Sequence, residues 1–388
     1  MNDQMPLNIA LLRRSFDPSK GGAEKVAARF VELFNARGHM VTFYGEKFEA
    51  EPNALFQFVK VPKKLFCTSG TTGFHRSVQK ALAPRRREYD VIYSMCRTLP
   101  VDVFRVTEQL HAEWAPAAYS PLAYLNPRHA GILRLEKACF DPRRVGFVVT
   151  NSTLVRAQVM KRFHLAPERV EVIPNGVDPE LFHPVSSQEK MLLRDKLKLD
   201  KNRTVLFFAA ADFKTKKLAS AIEALAALNF EHKENMQLVV AGGADSAPYR
   251  KQAEDSGVRT KFVGKLTNMT EYYQAADMFY YPGPYEPFAN VCLEAAACGL
   301  PVLTTRNNGS SEIVMHGKSG YVIDDYRNNM EIRHCIVDFM TRSRGQRLEM
   351  AEEIFKIAQL YSWENHADML EELFYRVKEA KRHETGSH

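Results

Sequence analysis

The chain has 388 residues, 45% of them hydrophobic and 26% charged, which is enough for two domains with their own cores and is unlike disordered or collagen-like chains. Six cysteines, at 67, 96, 139, 292, 298 and 335, keep neither C-x-x-C metal spacing nor disulfide-scaffold density, and no apolar run reaches the roughly 18–20 residues of a membrane span. The net charge of +7 sits in the first half: residues 1–184 carry 26 Lys and Arg against 18 Asp and Glu, a net +8, while the remainder carries 27 against 28, a net −1.

The beginning, MNDQMPLNIALLRRSF, has no basic segment followed by a long apolar one, so a cytoplasmic location is expected. Apolar runs then alternate with helical patterns, the sequence form of parallel sheets covered by helices. In the first half the runs 7–12, 40–44, 91–94, 104–107, 146–150 and 170–173 predict strands, and 23–37, 128–140 and 154–163 predict helices. After the first strand, DPSKGGAEK brings Gly21 and Gly22 to a helix start. Adjacent glycines let a backbone approach a diphosphate or a sugar, and a generic turn explains them equally well. The spacing is not the G-x-G-x-x-G of a nicotinamide-binding loop. Two basic clusters follow, Lys60 with Lys63 and Lys64, and Arg85 to Arg87. They suit anionic headgroups or a phosphorylated acceptor, against the plainer reading of a solvated face. No helix-turn-helix, zinc finger or aromatic–basic interleaving speaks for nucleic acid. His111 follows the strand predicted at 104–107; alone it reads as a histidine satisfied inside the fold.

IPNGVDPELFHPVSSQ, residues 173–188, is rich in proline and turn formers and predicts an interdomain linker. Beyond it strands are predicted at 204–210, 236–241, 261–263, 278–281 and 302–305, with helices at 218–228, 269–276 and 288–298. The domains expected are 1–175 and 176–361, with a final helix, 362–382, returning to the first; the last residues, HETGSH, are expected to lack structure. Between the strands, KTKK, residues 214–217, reads by itself as a solvent-facing cluster.

The stretch PGPYEPFANVCLEAAACGL, residues 282–300, says most about chemistry. A loop carrying Pro282, Gly283, Pro284 and Pro287 leads into a helix expected to begin near Phe288 or Ala289. The amides of Ala289, Asn290 and Val291 would then face the loop, where the helix dipole favours an anion such as a diphosphate. Glu294, about one to two turns in, suits the two hydroxyls of a ribose; Glu286, in the loop, suits those of a hexose. A buried helix with two incidental carboxylates is the competing reading.

Glu286, Phe288, Ala289, Glu294, Ala295 and the CGLPV ending at 298–302 resemble the signature of the retaining glycosyltransferases of family four. The resemblance is dense from 172 to 323 and looser before. It implies an α/β GT-B fold: two facing Rossmann-like domains, an interdomain cleft and a C-terminal crossover helix. It implies acceptor binding by the first domain and nucleotide-sugar binding by the second. Lys216 stands where the family neutralises the donor diphosphate, with Lys214 and Lys217 as alternatives, but Ala211 replaces the arginine usual five residues earlier. Gly21 and Gly22 would face the donor, His111 the reacting sugar, and Glu312 in GSSEIV the cleft edge or a structural partner. The segments YLNPRHAGILRLEKACFDPRR and ADFKTKK resemble the lipopolysaccharide-core glucosyltransferase branch, implying UDP-glucose as donor and an inner-core heptose of a membrane-held lipid as acceptor. No D-x-D motif is present, so no metal and no cofactor is expected beyond the sugar nucleotide. A UDP-sugar epimerase of the same fold, or a noncatalytic sugar-nucleotide sensor, are the other readings.

Overall fold

The computed structural model describes residues 5–17, 22–49, 53–63, 69–118 and 126–386. The chain forms two units, Met1–Asn175 with Trp363–His388, and Gly176–Ser362.

The first unit is built on a parallel sheet of β1 (Asn8–Leu12), β3 (Met40–Gly45), β5 (Phe56–Lys60), β6 (Val91–Ser94), β7 (Val101–Arg105), β8 (Val145–Thr150) and β9 (Val170–Val172), in the order β5-β3-β1-β6-β7-β8-β9. A short parallel pair, β2 (Ser15–Phe16) with β4 (Lys47–Phe48), stands apart. The strands are apolar on both faces, as helices on both sides of a parallel sheet require. Ile9 and Leu11 join one buried cluster with Val41, Phe43, Val91 and Tyr93, while Ala10 and Leu12 point to the other with Tyr44 and Ile92. The helix Trp363–Gly386 closes the first of these layers: Leu370, Leu373 and Phe374 are fully buried against it, and the Phe374 ring meets Phe30, Phe34 and Tyr93. Arg37 to Glu371 (2.5 Å) and Lys381 to Asp102 (2.5 Å) fix its register. The helix continues through residues of the tail expected to lack structure.

The second unit repeats the plan with β10 (Thr204–Ala209), β11 (Met236–Ala241), β12 (Thr260–Gly264), β13 (Met278–Tyr281), β14 (Val302–Thr305) and β15 (Gly320–Ile323), in the order β12-β11-β10-β13-β14-β15. Val205 and Phe207 face one core, Leu206 and Phe208 the other. The helix Ser187–Lys196, which begins inside the predicted linker, is moored by Asp277: its carboxylate takes Lys190 (2.8 Å), Arg194 (2.5 Å) and the Val205 amide (2.8 Å). Burial opposes that charge, yet the two cations hold the Asp277 carboxyl below its usual range.

Both sheets wind outward from their first strand and then reverse, at β1/β6 and at β10/β13. Open parallel sheets bind ligands at the carboxyl ends of strands where the winding reverses. One predicted strand moved and two strands were not foreseen. The strand expected at 104–107 spans Val101–Arg105, because Asp102, which interrupts the apolar run, is held inside the sheet by the Ile92 amide (2.7 Å) and Lys381. β5 and β15 were not predicted; β5 is an edge strand whose polar Gln57 and Lys60 hide the apolar pattern.

Candidate functional site

In the second unit the chain leaves β10 through residues 210–217 and leaves β13 through residues 282–289, so the two loops meet at the reversal point. The first is shaped by Asp212, whose Oδ1 accepts from the amides of Lys214 (2.9 Å) and Thr215 (3.1 Å). Lys217, in the left-handed region at φ 57°, then turns the chain into the helix Leu218–Ala226. Lys216 projects across and its Nζ is paired with the Glu286 carboxylate. Of the neighbouring lysines, Lys214 is exposed and Lys217 half-buried. Ala211 is exposed.

The second loop is held by a segment 20 residues further on. The Glu286 amide donates to Asn307 O (3.1 Å), and Gly309 N donates back to Glu286 O (2.9 Å). Asn308, 1% exposed, accepts from the Ala289 amide (3.3 Å) and donates to Thr304 Oγ1 (2.8 Å); Ser310 Oγ donates to Ala289 O (2.9 Å). Thr305 Oγ1 ties down Gly283 O (2.7 Å). The helix proper is Asn290–Ala297, with Ala289 as its cap residue. One expectation is therefore corrected: the Ala289 amide is spent on Asn308 rather than turned to the loop, and helical geometry starts at Asn290. Phe288 is buried against Tyr361, and Val291 packs on the same core, so both contribute backbone position rather than side-chain chemistry.

Glu294 lies on that helix, half-buried, and accepts from Tyr273 Oη (3.0 Å). Burial, then the Glu294 charge, pushes the Tyr273 phenol well above its ordinary value, so it stays a donor. The Tyr281 phenol is likewise raised by burial and by Glu286. Asn308, Ser310 and Tyr273 were not singled out from sequence. The Asn-Gly pair at 308–309 is a turn signal that could have drawn attention to Asn308, but nothing local says that its side chain caps a loop 19 residues earlier.

Beside the Lys216 loop a cavity of about 300 Å³ opens at the carboxyl ends of the strands, lined by Phe213, Gly242, Gly243, Phe262 and Lys265. Gly242 has to be glycine: a Cβ there would stand 2.2 Å from Ala210 O and 2.6 Å from the Phe213 ring.

The remaining predicted residues belong to the first unit. Gly22 is exposed as the first residue of the helix Gly22–Ala36; Gly21 lies outside the described residues, as do Lys64 and Cys67. His111 opens the helix His111–Ala118 and is 8% exposed, its ring stacked on His129 with Nε2 3.0 Å from His129 Nδ1. The buried Glu136 carboxylate accepts from the amides of His111 (2.7 Å) and Ala112 (2.9 Å) and from Arg97 (3.0 Å). Burial lowers the His111 pKa, which favours the neutral ring. The structure thus joins Lys216 and Glu286 directly and sets Glu294 on the adjoining helix, while His111 is packed into a separate buried network.

Two family descriptions cover most of the chain: Glycosyltransferase Family 4 matches residues 20–181, and Glycosyl transferases group 1 matches residues 189–359. The chain is 26% identical over 357 residues to the lipopolysaccharide glucosyltransferase WaaG of Escherichia coli (strain K12), covering 90% of this chain and 95% of that one. The crystal structure of WaaG, a glycosyltransferase involved in lipopolysaccharide biosynthesis, superposes with a TM-score of 0.79 at 25% identity, over 93% of this chain and 99% of that one. Anabaena Alr3699/HepE, solved in complex with UDP and glucose, shares the fold with a TM-score of 0.71 at 21% identity, over 95% of this chain and all of that one.

Proposed function

The chain belongs to the family-four glycosyltransferases of GT-B fold, and we propose that it moves a hexose, glucose, from a UDP-sugar to a hydroxyl of a cell-envelope glycan or glycolipid, with retention of the anomeric configuration. The observation that carries this reading is the Lys216–Glu286 pair at the β10/β13 reversal, next to the helix bearing Glu294. One cation and one carboxylate at a single point suit a group with anionic oxygens on one side and hydroxyls on the other, as a sugar diphosphate has.

In this reading Lys216 and the helix start at Asn290 and Val291 take the diphosphate, Glu286 takes sugar hydroxyls, and Glu294, aimed by Tyr273, takes the ribose. The cavity at Gly242 and Lys265 receives the base. As the anomeric carbon–oxygen bond breaks, negative charge grows on the departing diphosphate. A preorganised ammonium and helix dipole stabilise that state more than the ground state. The acceptor hydroxyl forms the new bond from the face the leaving group vacates, and its proton passes to the leaving phosphate oxygen. Lysine supplies charge to nonbridging oxygens without a metal. The first unit takes the acceptor, and its basic surface lies against the inner face of the membrane.

The test is product analysis with UDP-glucose in EDTA, with and without a heptose-terminated core acceptor. Glycosylated acceptor and free UDP, formed only when acceptor is present, are the expected products. Sugar interconversion without acceptor would make the protein an epimerase, and bound but unconsumed donor would make it a sensor. Complete loss in EDTA restored by Mg²⁺ would overturn metal independence.

A further inference from the structure

The first unit has its own reversal point, between β1 and β6, and a crevice of about 390 Å³ opens there. That is within the range of about 300–1,000 Å³ in which small ligands are held. Its wall carries Arg13, Arg14, Glu24, Glu46, Arg97 and Glu108, five of them just past the ends of β1, β3, β6 and β7 or, for Glu24, on the helix Gly22–Ala36 that follows β1 and β2.

The three arginines of this wall are already matched. Arg13, 8% exposed, donates to Glu24 (3.0 Å) and to Met95 O (3.2 Å). Arg14 faces Glu46 (3.4 Å). Arg97 donates to Glu108 (2.6 Å) while its remaining nitrogens hold Glu136 and Gln109 O. Ser15 Oγ adds a donor on Glu24 (3.2 Å). Counting Arg13, Arg14, Lys47 and Arg97 against Glu24, Glu46 and Glu108, the lining has a formal charge of +1.

Such a wall alternates fixed donors with fixed acceptors. A hydroxyl satisfies both, because it accepts from a guanidinium and donates to a carboxylate. A phosphate accepts only, and would stand beside three carboxylates whose charge opposes it. We propose that this crevice is the subsite for the acceptor's sugar ring, that it takes an uncharged polyhydroxylated ring, and that Glu24, Glu46 and Glu108 exclude a phosphorylated one. The inference rests on the transferase reading and adds the chemical class of the acceptor at this point.

The test uses the full chain and a matched pair, a methyl heptopyranoside and its phosphomonoester, with affinities measured by ligand-observed NMR. UDP-glucose is titrated into the same samples. The wild type should bind the neutral ring at least about tenfold more tightly than the phosphate. Glu108→Gln, at an exposed carboxylate, and Glu24→Gln each raise the lining charge by one; both should narrow or invert that preference while the UDP-glucose affinity stays put. Tighter binding of the phosphate by the wild type, binding of neither saccharide, or an unchanged ratio in both variants would overturn the subsite while leaving the donor reading intact. Failure to bind UDP-glucose at all would instead remove the transferase reading on which it rests.

Discussion

At the scale of single residues the account depends on a few polar groups whose positions are fixed by long-range partners. Glu294→Ala removes the ribose carboxylate and should raise the donor KM about tenfold or more, whereas Lys216→Ala removes charge that matters most as the diphosphate departs and should lower kcat by about 10²-fold. Steady-state kinetics separate the two, and unaltered constants in both variants would refute the assignment. The two glutamates were singled out by their place around a helix start, and Lys216 by the resemblance alone, since KTKK by itself reads as a solvent-facing cluster. What arranges them was not legible. Asn308 caps a loop from 19 residues away, and Tyr273 reaches Glu294 across 21 residues, from another helix. His111 is assigned to the sugar by the resemblance alone; by itself it reads as a histidine satisfied inside the fold, and its ring is stacked on His129 with its backbone amide bound to Glu136.

At the scale of elements, the strands most legible in the sequence are those whose apolar residues fill both faces, such as Thr204–Ala209 and Met278–Tyr281; the obscured ones carry a charged residue with a distant partner, as Asp102 does, or lie at an edge, as Phe56–Lys60 does. The C-terminal helix has a titration built into its seat. His366 Nδ1 donates to Pro174 O (2.6 Å), and burial, then Arg105, lowers its pKa to about 3. The folded ring therefore stays neutral where the unfolded one, with an ordinary value near 6.5, takes up a proton. Stability from this group is complete above about pH 6.5 and is lost as pH falls toward 3, at about 1.4 kcal/mol per pH unit within that window. His39, lowered by burial, acts with the same sign. Both tryptophans, Trp114 and Trp363, belong to the first unit, so their fluorescence follows its unfolding in urea. Between pH 7 and pH 5 the wild type should lose stability more steeply than His366→Gln; equal slopes would contradict the assignment.

At the scale of the whole molecule, two units with the same winding carry unlike reversal points: one built around a lysine–glutamate pair beside a helix start, the other lined by three arginine–glutamate pairs. Among the described residues no helix is long and apolar enough to cross a membrane. The proposed attachment to a bilayer rests on the charge of the first half, including the exposed Lys60, Lys63 and Arg87. Binding to anionic vesicles should be measurable at about 10 mM salt and fade by about 150 mM, where the Debye length has shortened to about 8 Å; no binding at low salt would remove the membrane from the account. The central claim, that a sugar nucleotide is gripped at the β10/β13 reversal, is tested most directly by amide hydrogen exchange of the full chain with and without UDP-glucose. Exchange should slow most in residues 212–218 and 286–294. Slowing confined to other segments, with these two unchanged, would contradict it.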